Sequence, residues 1–137
     1  MQDSAANCGP ASLSNALQAL GIIRTQAECE QLCKTTAAAG TTYAGLQRGI
    51  KAVGRYPVAV NERRYDVARL RLRDALTWGQ AAVLCVDNNE HWVAAIGLCG
   101  HRVLIADPAD NELVVSLATD ELKVRWGFGN RYYGVIL

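Results

Sequence analysis

Gln2-Asp3-Ser4-Ala5-Ala6-Asn7-Cys8-Gly9-Pro10 runs directly into Ala11-Ser12-Leu13-Ser14-Asn15-Ala16-Leu17-Gln18-Ala19-Leu20. A cysteine followed by Gly-Pro, with Leu13, Ala16, Leu17 and Leu20 at helical spacing, predicts a helix that starts at or just after Cys8. At a helix N-terminus the unpaired N–H groups and the positive end of the dipole favour the thiolate, the nucleophilic form of cysteine. A cysteine there is half of a catalytic pair, and it counts as a nucleophile only if a histidine and an orienting group stand elsewhere in the chain. Otherwise Cys8 is a small buried hydrophobe beside a turn.

The first helix should stop at Gly21. Thr25 then reads as the N-cap of a short helix over residues 26–34, with Glu28 as its capping-box partner. Thr42 reads as the cap of a third helix over 43–53. Pro57 to Val60 resembles a short strand, and 65–78 a fourth helix. From Gly79 onward the pattern becomes short β-like runs at 81–86, 91–98, 102–106, 113–117 and 132–137. Asp87-Asn88-Asn89, Gly100 and Pro108 to Asn111 separate these runs at hairpin spacing, so an antiparallel sheet is expected. Helices packed on an antiparallel sheet make an α+β domain, and 137 residues suffice for one such domain with a full core, 1–137.

Composition excludes several function classes. Half of the residues are hydrophobic, a fifth are charged and the formal charge is +1, which argues against disorder and against a polyelectrolyte partner such as nucleic acid. Arg63, Arg64, Arg69, Arg71 and Arg73 are interspersed with Glu62, Asp66 and Asp74 and read as a solvated helix face. No basic segment precedes an apolar run at the N-terminus, and no stretch reaches the length of a membrane span. Five cysteines in apolar surroundings (Cys8, Cys29, Cys33, Cys85, Cys99) fit a reducing compartment, so a cytoplasmic location is expected. Cys29 and Cys33 lie one helical turn apart, but no second Cys or His pair accompanies them, and neither a metal nor any other cofactor is expected.

There are two histidines. His101 follows Gly100 in a predicted turn and reads as a solvated loop residue. His91 opens the run His91-Trp92-Val93-Ala94-Ala95-Ile96 just after a polar loop, so it stands where a loop meets the sheet. Asp107 ends the next strand and is followed by Pro108. If these strands pair as a hairpin through Gly100, His91 and Asp107 lie near the same end of the sheet. The acid can then accept from one ring nitrogen and leave the other facing a thiolate. Acyl chemistry also needs donors for an oxyanion, and the Gln2 amide with the Cys8 backbone N–H are the candidates.

Taken together, Gln2, Asn7-Cys8-Gly9-Pro10-Ala11-Ser12-Leu13, Thr41 to Leu46, His91-Trp92-Val93 and Ala106-Asp107-Pro108 resemble the papain-like cysteine peptidases of the bacteriocin-processing type, which cut leader peptides after a double glycine. That resemblance covers nearly the whole chain. It implies Cys8 as nucleophile, His91 as general base and then acid, Asp107 as the orienter of His91, and Gln2 as oxyanion donor. Asn7, Gly9 and Trp92 are the expected substrate contacts, with Trp92 and Trp78 as candidates for narrowing a channel beside Cys8. A peptide substrate such as a leader peptide, and an ABC exporter, are the candidate partners. The chain departs from the family at Asn7, where an acidic residue is frequent, and at Ser12, where a second cysteine is usual. A deamidase or acyltransferase on the same site, and a peptide-binding domain without turnover, are the competing expectations.

Overall fold

The computed structural model describes residues 8–109 and 114–137. Its elements are α1 (Cys8–Ala19), α2 (Gln26–Cys33), α3 (Tyr43–Ala52), β1 (Val58–Glu62), α4 (Tyr65–Thr77), β2 (Ala82–Val86), β3 (His91–Cys99), β4 (Arg102–Ala106), β5 (Val115–Leu117), α5 (Thr119–Trp126) and β6 (Tyr132–Ile136). The six strands form one antiparallel sheet in the order β1-β6-β2-β3-β4-β5. This is an α+β papain-like arrangement, with the helix of the N-terminal cysteine lying across a sheet built mainly from the second half of the chain.

Local chemistry accounts for the helix ends. Thr25 Oγ1 accepts from the Glu28 N–H at 3.1 Å, and Thr42 Oγ1 accepts from the Gly45 N–H at 3.0 Å. Each side chain thereby satisfies one of the otherwise orphaned amides of a first turn. Tyr43, at the start of α3, donates from its hydroxyl to the Gly134 carbonyl at 2.7 Å and ties the helical layer to β6.

Alternation along the strands divides the core into two layers. Leu13, Ala16, Leu17, Leu46 and Ile50 from α1 and α3 pack on Val83, Cys85, Trp92, Ala94, Ala106 and Val135 on one face. Ala68, Leu72, Leu76, Leu122 and Trp126 from α4 and α5 pack on Leu84, Val86, Val93, Ala95, Val103 and Ile105 on the other. The sheet is therefore covered on both sides, and β2, buried at every position, reads as a continuous apolar run. Full burial of side chains such as Leu17, Leu72 and Ile105 is worth about 1.5–3 kcal/mol each.

Two features of this architecture lie outside the sequence expectations. First, α5 was not foreseen. Its N-terminus is held by Glu121, whose Oε1 accepts from the Ala118 N–H at 2.9 Å. Second, β1 joins the sheet at its edge beside β6, and Arg71 of α4 is not merely solvated: it donates to Glu62 at 2.8 Å and to the Ala59 carbonyl at 3.0 Å, holding α4 to β1. The last two residues of the expected turn at 108–111, and the first residue of the strand expected at 113–117, fall outside the described residues.

The β3–β4 hairpin turns through Gly100, at φ +60°, and His101, which is exposed. Its ladder shifts register between Ala95 and Gly97, so Ala94 faces Ala106 and Ala95 faces Ile105, while Gly97 faces Leu104. Ile96 is the extra residue of a β-bulge. Because a one-residue slip exchanges the two faces of a strand, this bulge sets the face to which Asp107, just beyond β4, is directed.

Candidate active site

Cys8 is the first residue of α1 and is 7% exposed. Its helix lies against β3, and the fully buried Ser12 Oγ donates to the Trp92 carbonyl at 2.8 Å, fixing α1 beside the first turn of that strand. Gly9 follows because nothing larger fits: a Cβ there would lie 2.4 Å from the Thr41 Cβ. Thr41 is itself engaged, its hydroxyl 2.7 Å from that of Thr35 and its carbonyl accepting from Trp92 Nε1 at 3.3 Å.

His91 opens β3 opposite Val86. Its Nε2 lies 2.6 Å from Asp107 Oδ1. An ionised carboxylate can only accept, so Nε2 carries the proton. The imidazole also hydrogen-bonds Cys8, which leaves Nδ1 as the nitrogen for the thiol. Strand alternation places His91 on the α4/α5 face, whereas Cys8 packs with the α1–α3 layer. The ring thus spans the end of the sheet, and the array is assembled across its edge.

Asp107 is surrounded by donors. Oδ1 accepts from His91 and from the Ala109 N–H at 2.9 Å, and Oδ2 accepts from Arg125 Nη2 at 2.6 Å. Arg125 in turn forks onto Asp87, with Nε 3.0 Å from Oδ1 and Nη2 3.0 Å from Oδ2. The Asp87 N–H closes the loop by donating to the Arg125 carbonyl at 2.9 Å. Asp87, Asn88 and Asn89 all take positive φ (53°, 60° and 61°) in the turn before His91, a conformation that Asp and Asn tolerate better than other side chains.

The electrostatics follow from these contacts. Burial pushes the Cys8 thiol up, but the hydrogen bond from His91, the Trp92 N–H, the charge of the imidazolium and the Gly9 N–H outweigh it, and the thiol ends below its ordinary value. The hydrogen bond to Cys8 raises His91, burial opposes it, and Asp107 raises it further, so the ring holds its proton above the usual pH. Burial would raise the Asp107 carboxyl, yet His91, Arg125 and the Ala109 N–H hold it below the usual range. The other buried thiols behave oppositely: burial pushes Cys29 and Cys85 to about 11 and Cys33 to about 12. A depressed thiol beside a raised imidazole is the signature of a thiolate–imidazolium pair. Such a pair can attack a carbonyl carbon and hand a proton to a leaving amine.

A family model for the peptidase C39 family matches residues 1–129. The chain belongs to the peptidase C39 family. Members are cysteine peptidases, and this one is a cysteine peptidase of papain-like fold. Among solved structures, the C39 chain is similar to the peptidase domain of Streptococcus ComA, a bi-functional ABC transporter involved in a quorum-sensing pathway, at 22% identity and a TM-score of 0.72, covering 99% of this chain and 93% of that one. It is also similar to a double glycine motif protease from an AMS/PCAT transporter, solved with its leader peptide, at 18% identity and a TM-score of 0.74, covering 100% and 86%. A C39-like peptidase from Bacillus anthracis aligns at 17% identity with a TM-score of 0.67, covering 96% and 88%. These likenesses are of fold. None of the curated proteins matches the chain at a significant level.

In this C39 domain the structure brings together Cys8, His91 and Asp107, three of the four residues expected to be catalytic. Gln2, the fourth, and Asn7 lie outside the described residues. Trp92 is 9% exposed and belongs to the core around Cys8, 6.4 Å from Tyr43 between ring centroids. It also lines a hollow of about 380 Å³ with Tyr43, Ala59, Asn61, Cys85, Asn89 and Tyr133. The expectation for Trp78 is corrected: it caps α4 at 84% exposure, and α4 packs on the face of the sheet away from Cys8, so Trp78 narrows no channel there. Sequence reasoning missed Arg125 and Asp87 as partners of the array. The one signal for Arg125 was the charge order of residues 119–126, acidic first and basic last, which marks a helix. Among the described residues no three His, Cys, Asp or Glu side chains converge on a common point as metal ligands would.

Proposed function

We propose that Cys8 is the nucleophile, His91 the general base and then acid, and Asp107 the residue that orients His91, and that the substrate is a leader peptide cut after a pair of small residues. The observation that carries this reading is the His91 ring held between the Cys8 thiol and the Asp107 carboxylate. The Cys8 thiolate attacks the scissile carbonyl carbon, and the carbonyl electrons move to oxygen, for which the Cys8 backbone N–H and the Gln2 amide are the proposed donors. Collapse of this tetrahedral species breaks the C–N bond, and the imidazolium gives its proton to the leaving amine. Water then attacks the thioester, His91 takes its proton, and the C–S bond breaks to release the acid and restore the thiol.

Small residues before the scissile bond suit a backbone that must pass closely beside Cys8. The hollow beside Trp92 and Cys85 would take an apolar side chain further from that bond. The AMS/PCAT relative was solved with a leader peptide, and by that kinship an ABC exporter is the proposed partner and the cytoplasm the proposed site of action.

The test is a panel of peptides that differ only in the two residues before the scissile bond, scored by kcat/KM with Cys8→Ala as control. Preference for Gly-Gly or Gly-Ala over Val-Val, abolished in Cys8→Ala, supports the proposal. Cleavage by Cys8→Ala or indifference at those positions overturns it. Ammonia release from glutamine without chain cleavage would assign the same site to a different acyl transfer.

A further inference from the structure

We infer that Arg125 is a positioning residue for the proposed Cys8–His91–Asp107 array, holding Oδ2 of Asp107 so that Oδ1 stays directed at His91, with Asp87 as the counter-charge that makes this possible. The inference rests on the catalytic assignment above, and it adds a residue of α5 and one of the β2–β3 turn that the assignment does not use.

A carboxylate at the end of a strand turns easily about its last torsion, because that torsion is broad and nearly two-fold. Asp107 has donors on both oxygens: His91 and Ala109 on Oδ1, and Arg125 Nη2 on Oδ2. The guanidinium is planar and presents its N–H groups in a fixed fork, so once Nε and Nη2 are seated on Asp87 the remaining Nη2 hydrogen has a set direction, toward Asp107. The fork is anchored at its root as well, since the Asp87 N–H donates to the Arg125 carbonyl at 2.9 Å.

Charge arithmetic explains why two acids share one arginine. Arg125 alone would neutralise Asp107 and weaken its hold on the imidazolium. With Asp87 taking the bidentate side of the guanidinium, the trio carries a net single negative charge, and Asp107 retains its pull on His91. Among the described residues, the charged and titratable groups facing this trio are His91 from β3 and, beyond its ring, Cys8 from α1. Arg125 is 25% exposed and Asp107 11% at the side chain, so the interaction is only partly screened by solvent.

Arg125→Met and Arg125→Lys are compared with the wild-type chain by the pH profile of Cys8 alkylation with limiting iodoacetamide, alongside kcat and KM for a cleaved peptide. Losing the positioning contact weakens the imidazolium, so in Arg125→Met the acid limb of Cys8 alkylation moves to higher pH. There kcat falls by up to about 10²-fold while KM changes little. Arg125→Lys, which keeps the charge and a donor but not the planar fork, recovers part of both. Asp87→Asn, which leaves the positive charge of Arg125 uncompensated against Asp107, moves the limb in the same direction and serves if Arg125→Met does not fold. An unchanged profile with only a lowered melting temperature would make Arg125 a structural staple and overturn the inference. A limb moved to lower pH would make it a simple screen of the Asp107 charge, which also overturns it. A wild-type Cys8 that titrates like an ordinary thiol would instead overturn the catalytic assignment itself.

Discussion

Asp107→Asn should cost the enzyme more than Asp107→Ala, although Asn is the closer match in shape. Among the described residues, every polar neighbour of the Asp107 carboxylate is a donor: His91 Nε2 at 2.6 Å, the Ala109 N–H at 2.9 Å and Arg125 Nη2 at 2.6 Å. An amide offers one acceptor and one NH2, so in either orientation the NH2 meets a donor. The permanent charge of Arg125 makes it the stronger claimant on the amide oxygen. The NH2 then faces His91 Nε2, which must become an acceptor, and the ring proton moves to Nδ1, facing Cys8, where it blocks uptake of the thiol proton. The substitution also removes the charge that stabilises the imidazolium. With charge centres about 4 Å apart and an effective dielectric near 20, that attraction is about 4 kcal/mol. Even half to three quarters of it, lost in the transition state, lowers kcat by roughly 30- to 140-fold at about 1.4 kcal/mol per tenfold. Asp107→Ala loses the same charge but leaves His91 free to choose its tautomer. Steady-state kcat on a cleaved peptide ranks the two variants, and circular dichroism checks their folding. If folded Asp107→Asn is as active as wild type, or if Asp107→Ala is the slower of the two, the donor-only environment of Asp107 does not control the tautomer and the reasoning fails.

Gly9→Ala should lower stability by about 1–3 kcal/mol through overpacking and should also slow catalysis, because the new Cβ meets Thr41, which is held by Thr35 and Trp92 and cannot step aside; an unaltered melting temperature would show that α1 has slack there. Ser12→Ala should cost about 1–2 kcal/mol, read as a lower urea midpoint, because a fully buried hydroxyl bonded to the Trp92 carbonyl at 2.8 Å is lost. The folded-state pKa of Asp107 lies below its unfolded value, so its contribution to stability is complete above about pH 4 and disappears as pH falls through the folded value. Urea midpoints of wild type should therefore drop more steeply on acidification than those of Asp107→Ala, and parallel slopes would remove Asp107 from the acid transition.

Much of this fold was legible because its local signals agree with its tertiary structure. The threonine caps at Thr25 and Thr42, the glycine stops and the apolar spacing of α1 and α3 placed the first three helices to within a residue or so. The β-like runs after Gly79 placed β2, β3, β4 and β6 with similar accuracy. The helix α5 escaped because Leu122, Val124 and Trp126 alternate with charged residues like a half-buried strand, yet Val124 is 83% exposed and only Leu122 and Trp126, one turn apart, are buried. Missing α5 meant missing Arg125, and with it the polar side of Asp107. Of the second cover of the sheet, α4 was legible in the sequence and α5 was not. The pairing of His91 with Asp107 was anticipated from a plain hairpin, but the bulge at Ile96 that directs Asp107 has no sequence signal: it is an extra residue in an unbroken apolar run, and only the packing of both faces fixes where it falls.

The central claim is that Cys8 and His91 form an activated pair, and selective alkylation tests it most directly. The folded protein is treated with limiting iodoacetamide near pH 6, and the label is mapped by mass spectrometry in wild type and in His91→Ala. Cys29, Cys33 and Cys85 are buried with thiols pushed to between about 11 and about 12, while Cys99 is exposed and serves as the internal reference. Cys8 is expected to be labelled first, faster than Cys99 despite its burial, and His91→Ala to remove this advantage. Faster labelling of Cys99 in wild type, or a Cys8 rate unchanged by the loss of His91, would contradict the claim.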